Sequence, residues 1–278
     1  SHLKPAIHIF VLNVIGSVYL QLNNVLLGFM KDVEAVGYFT AATKILVIAM
    51  SFSSSLGAVI MPRTSNLIAE NKMDEFKTLI QKSYDFVLAL AMPLTVGLIF
   101  ISPSAILLLS GEGFASAILT SQIIAFNILT VSIAGVMGFQ VLYPMGRINT
   151  VIFCTFIGAI VNILMNVLLT PVYGHNGTAV AYMLAEVAVT FSMFILGRKY
   201  IPIQFFKKEH LHYIIGSVVM GIGLYFISNS QLDNIMMLTF MLLVGGLTYV
   251  GILVVLKDSV SKIIQKTISQ YFEKKKIL

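Results

Sequence analysis

The feature that most constrains this chain is a succession of apolar runs, most of them about 18 to 27 residues long, the length a helix needs to cross a hydrocarbon core of ~30 Å. They occupy residues 6–30, 36–61, 84–101, 114–141, 148–169, 176–197, 213–227 and 235–256, numbered here as spans one to eight. Backbone amides inside a bilayer are satisfied only in helices or closed barrels, and these runs lack the strict alternation of barrel strands. Hydrophobic residues make up 58% of the chain and charged residues 11%, against roughly a quarter charged in a soluble domain. A water-soluble core has no room for so much apolar surface. The sequence therefore predicts an all-α integral membrane protein of about eight transmembrane helices.

Charge orients the spans. Sixteen of the 18 basic residues fall before span one, after span eight, or in the connectors that follow spans two, four and six. Lys31 lies in an opposite connector and Lys44 within span two. Basic residues are retained on the cytoplasmic side, so both termini are expected there. The net charge of +6 follows from this bias. It makes the bilayer, with its anionic inner-leaflet lipid, the expected partner, and not nucleic acid.

The outer connectors, 31–35, 102–113, 170–175 and 228–234, are too short to hold a domain. On the inner side, segment 66–82 carries Met73, Phe76, Leu79 and Ile80 at helical spacing among charges. The tail repeats the pattern with Val260, Ile263, Ile264, Ile268 and Tyr271. Both are expected to be amphipathic helices lying on the inner membrane surface. The lone Cys154 sits within span five, so no disulfide framework is expected. The opening Ser-His-Leu-Lys-Pro has no initiator methionine and reads as the start of a piece of a longer chain.

The spans differ in polarity. Asn13, Ser17, Gln21 and Asn24 form one stripe on span one, and Thr40, Lys44, Ser51 and Ser55 another on span two. Span five carries Gly158, Asn162 and Asn166 on one face; Thr178, Tyr182, Glu186 and Thr190 recur every four residues on span six. Polar groups facing lipid are costly, so these stripes are expected to face protein or a water-filled cavity. Spans seven and eight have no ionisable residue in their cores, and Ser217, Gly221, Gly245 and Gly246 suit close packing at the periphery.

The candidate cavity residues are therefore Asn13, Gln21, Asn24, Lys44, Ser51, Asn162, Asn166 and Glu186. Lys44 either faces the cavity and attracts an anion such as pyrophosphate, or snorkels outward, or pairs with Glu186. Glu186 suits a structural or coupling role. Asn162 and Asn166 suit helix-to-helix hydrogen bonding as well as substrate recognition. Asp85, a turn inside span three, is expected to be solvated or capping.

Catalytic chemistry finds no footing. His2, His8, His175, His210 and His212 are scattered without metal-ligand spacing, and neither a Gly-rich phosphate loop nor a nucleophile elbow is present. The outer connectors hold only Asp32, Glu34, Glu112 and Asp233 as acids, too dispersed for a membrane-embedded glycosyl- or acyltransferase. No cofactor or metal is expected.

Several strings occur in a telling order: LQLNNVLLG at 20–28, VGYFTAATKI at 36–45, MPR at 61–63, AMPLTVG at 91–97, GEGF at 111–114, VNILMN at 161–166, TPVYG at 170–174 and NGTAVA at 176–181, with Glu186 after them. Together they resemble the C-terminal lobe of Wzx-type polysaccharide repeat-unit flippases of the multidrug/oligosaccharidyl-lipid/polysaccharide exporter superfamily. The resemblance covers about residues 4–197. It implies a six-helix lobe over 1–197, an additional helix pair over 198–256 and a basic amphipathic tail over 257–278. It also implies a missing N-terminal lobe, a central cationic cavity, and transport of undecaprenyl-diphosphate-linked oligosaccharides across a bacterial cytoplasmic membrane. Relatives often carry an acid near the end of the first helix of this lobe, where this chain has Asn23 and Asn24. A cation-exchanging multidrug extruder would carry acids in its cavity, whereas a lipid II flippase is poorly separated from the first reading.

Overall fold

A computed structural model describes residues 21–230, 232–256 and 258, and every regular element among them is helical. Helix α1 is described over residues 21–30; α2 follows at Val33–Ala69 and α3 at Met73–Ser110. A 3-10 turn, Glu112–Phe114, leads to α4 (Ala117–Ile124) and α5 (Asn127–Gly135), which a π-helical turn at Val136–Leu142 extends. Then come α6 (Ile148–Gly197), α7 (His210–Ser228) and α8 (Asn234–Val255). Asp32 starts α2 as an N-cap: its backbone is extended and its carboxylate accepts the Ala35 N–H at 2.7 Å.

At 50 residues, α6 would be about 75 Å long if straight, more than twice the thickness of a hydrocarbon core. It is not straight. Gly174, three residues after Pro171, takes φ 58° and ψ −136°, and the chain doubles back there. A Cβ on Gly177 would lie 2.5 Å from the Leu169 carbonyl oxygen, and one on Gly158 would lie 2.2 Å from Val189 Cγ2. The two arms therefore pack along each other, and a Cβ at either glycine would force its neighbour to shift. They correspond to spans five and six. With them the described residues account for spans two to eight, while span one is described only over 21–30.

Segment 66–82 departs from the sequence reading. Instead of forming a helix of its own, it forms the ends of α2 and α3, which run on past the apolar runs and meet in a turn at residues 70–72. Asn71 adopts φ 55°, a left-handed conformation that asparagine tolerates, and the Lys72 N–H donates to the Leu67 carbonyl at 2.9 Å. Phe76 and Ile80, one helical turn apart, are fully buried in the same core as Leu67 and Tyr84. Within the stripe Phe76 and Ile80 are covered by the protein itself, Leu79 is partly covered and Met73 stays exposed. The tail beyond Asp258 lies outside the described residues.

Two apolar cores fill the bundle. One gathers Leu27, Phe39, Leu98, Ile124 and Tyr182 from α1, α2, α3, α4 and α6. The other includes Phe76, Tyr84, Met137, Cys154, Tyr213 and Tyr249. Helices α7 and α8 pack on each other and on α3. Gly216 allows the Tyr249 ring to approach, and Gly221 does the same for Val96.

Candidate functional site

The polar stripes do not all face one space. On α6, Asn162 and Asn166 are fully buried, and both donate from Nδ2 to Oδ1 of Asn23 on α1, at 3.0 and 3.2 Å. Asn166 Nδ2 also reaches the Asn162 backbone carbonyl at 3.0 Å. Its own Oδ1 accepts the Thr170 hydroxyl at 2.8 Å, and Thr170 meets Thr178 of the returning arm at 3.0 Å. These five side chains form a neutral ladder that ties α1 to both arms of α6. Thr178 belongs to the polar stripe of span six; Asn23 and Thr170 lie outside the stripes read from the sequence, although Asn162, Asn166 and Thr170 recur every four residues and so share a helix face.

A second, more open group lies on α1 and α2. Asn24 donates to Gln21 at 3.4 Å and accepts from Thr40 at 3.4 Å, so the two stripes meet there. Lys44 and Ser51 sit two turns apart on α2, both exposed, and the Ser51 hydroxyl donates to the Ile48 carbonyl at 2.7 Å. Glu186 is buried on the second arm of α6, and among the described residues no ion pair joins it to Lys44. Thr190, one turn further, donates to the Glu186 and Thr130 carbonyls at 2.8 and 3.0 Å, which ties this arm to α5. Asn13 lies outside the described residues.

Beside the stripe on α2 is a crevice of about 480 Å³ between α2, α3, α7 and α8. Its walls are apolar, with Ile45, Phe52, Pro93, Met220, Met241 and Tyr249 among them. Gly97, Gly245 and Gly246 give it depth where a side chain would fill it. The sequence signal was present in these small residues, but it reads equally as close helix packing.

Asp85 is the centre of a cluster, contrary to its reading as a solvated or capping residue. Its Oδ2 accepts Lys207 Nζ at 3.0 Å; its Oδ1 accepts His210 Nε2 at 3.0 Å and Gln81 Nε2 at 2.7 Å. Residues 207 and 210 lie more than a hundred positions away, where no periodicity in the sequence could associate them with it. Among the described residues, no group of three or more His, Cys, Asp or Glu is placed to hold a metal ion.

The chain is similar to several known proteins. The chain is 26% identical over 265 residues to the uncharacterized membrane protein MJ1068 of Methanocaldococcus jannaschii, covering 90% of this chain and 51% of that protein. It is 24% identical to the "Probable low-salt glycan biosynthesis flippase Agl15" of Haloferax volcanii, over 61% of this chain and 36% of that protein. It is 25% identical to the "Putative O-antigen transporter" of Shigella dysenteriae, over 69% of this chain and 47% of that protein. The chain thus spans about half the length or less of the curated relatives it matches. Its fold superposes on the lipid II flippase MurJ in an inward closed conformation with a TM-score of 0.74 at 17% identity, over 90% of this chain and 54% of that one. The sequence model of one family, Lipid II flippase MurJ, matches residues 1–245, so this multi-pass membrane chain belongs to the MurJ family of flippases.

Proposed function

We propose that the chain is one lobe of a flippase that carries polyprenyl-diphosphate-linked oligosaccharide repeat units, for O-antigen, capsule or another surface polysaccharide, across a bacterial cytoplasmic membrane. The observation that carries this reading is the apolar crevice, whose α2 wall adjoins the polar stripe of Lys44 and Ser51, a stripe that meets α1 where Thr40 bonds Asn24. An amphipathic substrate needs both surfaces side by side. Its hydrocarbon chain lies in the crevice, and its diphosphate and sugars lie along Gln21, Asn24, Lys44 and Ser51. Asn162, Asn166 and Asn23 hold the helices that carry those residues. The end of the bundle with the basic connectors faces the cytoplasm, as the distribution of lysine and arginine supports. A second lobe, supplied by the rest of a longer chain, closes the polar faces into a cavity.

The experiment is co-expression with the first lobe of the parent protein in a strain lacking its repeat-unit flippase. Restored surface polysaccharide from the pair, and none from this chain alone, is the expected result. No restoration by the pair, at normal membrane levels of both, would refute the reading. The family match supports a second head group, lipid II. Rescue of a strain depleted of its lipid II flippase, without rescue of surface polysaccharide, would assign that head group instead.

A further inference from the structure

We propose that Asp85 is a positioning residue for the polyprenyl chain: with Lys207 and His210 it pins the α7–α8 pair to α3 and so sets the width of the apolar crevice. This rests on the reading of the crevice given above. Two walls of the crevice belong to α2 and α3, and the other two to α7 and α8. Side-chain packing sets how the pair lies against α3 as a whole, and directional bonds fix the separation at the points where they are made.

Two sets of such bonds join the pair to α3. Within the crevice wall, the Tyr249 hydroxyl donates to the Ala89 carbonyl at 2.6 Å. At the end of the crevice nearest the basic connectors, Asp85 holds Lys207 and His210, next in sequence to Phe86, which lines the crevice. His210 is the first residue of α7, the helix that supplies Met220 and Leu224 to the wall, so its position is transmitted along a rigid element. Bonds in which donor or acceptor is ionised, as from Lys207 to the Asp85 carboxylate, are stronger and shorter than neutral ones. His210 is itself held, with Nδ1 3.0 Å from the Phe205 carbonyl.

The segment that delivers Lys207 is strapped to the lobe. The Arg147 guanidinium lies 4.4 Å over the Tyr200 ring, and the Gln204 N–H donates to Gln81 Oε1 at 2.8 Å. The Phe205 ring meets Tyr84 edge-on at 5.3 Å. Asp85 thus receives both partners from a segment whose path is already determined, and its carboxylate decides how closely the start of α7 approaches α3.

The test is binding of undecaprenyl phosphate and of farnesyl phosphate, two ligands with one head group and different chains, to the chain in nanodiscs. The wild type is expected to prefer the longer chain. Asp85→Ala should reduce that preference about tenfold, equivalent to ~1.4 kcal/mol, with farnesyl phosphate binding unchanged. Asp85→Glu should restore it, which a loss of general stability would not predict. Should Asp85→Ala fail to fold, His210→Ala loosens the same clamp while the Asp85–Lys207 pair remains. A wild-type preference that survives both substitutions overturns the clamp alone. Absence of any preference in the wild type removes the crevice reading beneath it.

Discussion

Asn23→Leu tests whether the neutral ladder holds the lobe together. Asn23 Oδ1 accepts two hydrogen bonds, but its loss does not orphan two donors. Asn166 Nδ2 keeps the Asn162 carbonyl at 3.0 Å, whereas the bond to Asn23 is the one the described structure gives Asn162 Nδ2. One buried donor is left unsatisfied, which costs about 1–3 kcal/mol. Hydrogen bonds between membrane helices average about 0.6 kcal/mol in double-mutant cycles, so the lower half of that range is expected. Adding Asn162→Leu removes the stranded donor too, while Asn166 retains the backbone carbonyl. The double variant should therefore be more stable than Asn23→Leu alone. The chain carries its own reporter: Cys154 is its one cysteine and is buried, so the rate at which a thiol-reactive fluorophore labels it on heating follows unfolding. Equal stability of wild type and Asn23→Leu, or a double variant showing the sum of two single losses, would refute the reasoning.

Single cysteines at His175 and Asp233 in a Cys154→Ser background should react with impermeant maleimide from outside intact spheroplasts, and Lys208→Cys should not; the reverse pattern would invert the proposed orientation. Gly158→Ala places a Cβ 2.2 Å from Val189 Cγ2 and 3.3 Å from the Ala185 carbonyl, which should cost about 1–3 kcal/mol in the same thiol-labelling assay. Val189→Ala should recover most of that loss, and no recovery would mean the clash is with the backbone. With the first lobe co-expressed, Lys44→Arg should retain part of the transport, while Lys44→Gln abolishes it at matched membrane levels, because a cation in a low-dielectric cavity attracts a diphosphate strongly. Normal surface polysaccharide from Lys44→Gln would end the case for this residue.

Much of the architecture was legible because bilayer thickness dictates the length of an apolar run, and spans two to eight each fall on described helices. Where the helices end was less legible. The backbone of α3 is satisfied internally and continues through Asp74, Glu75 and Lys77, charges that mark the end of an apolar run but not the end of a helix. The amphipathic pattern of Phe76 and Ile80 states that one face is covered, without saying whether lipid or protein covers it. Asn162 and Asn166 were legible as partners on one helix face, but their acceptor, Asn23, is more than a hundred residues away. The Asp85 cluster was illegible for the same reason. For Lys44 the sequence leaves three readings open, a cavity site, snorkelling or a pair with Glu186; the structure places Lys44 on an exposed face and Glu186 in the core.

The long hairpin of α2 and α3 has a mechanical consequence. At 37 residues α2 is about 55 Å long, well beyond a hydrocarbon core of ~30 Å, and most of the excess projects at the turn around Asn71. The turn is thus the tip of a lever whose fulcrum lies within the bilayer. Rocking the lobe as a rigid body by about 10° would sweep the tip through about 6 Å, taking its arm as ~35 Å from the midplane. Angular motion too small to resolve inside the membrane becomes a displacement that a spin label or fluorophore at Asn71 can follow.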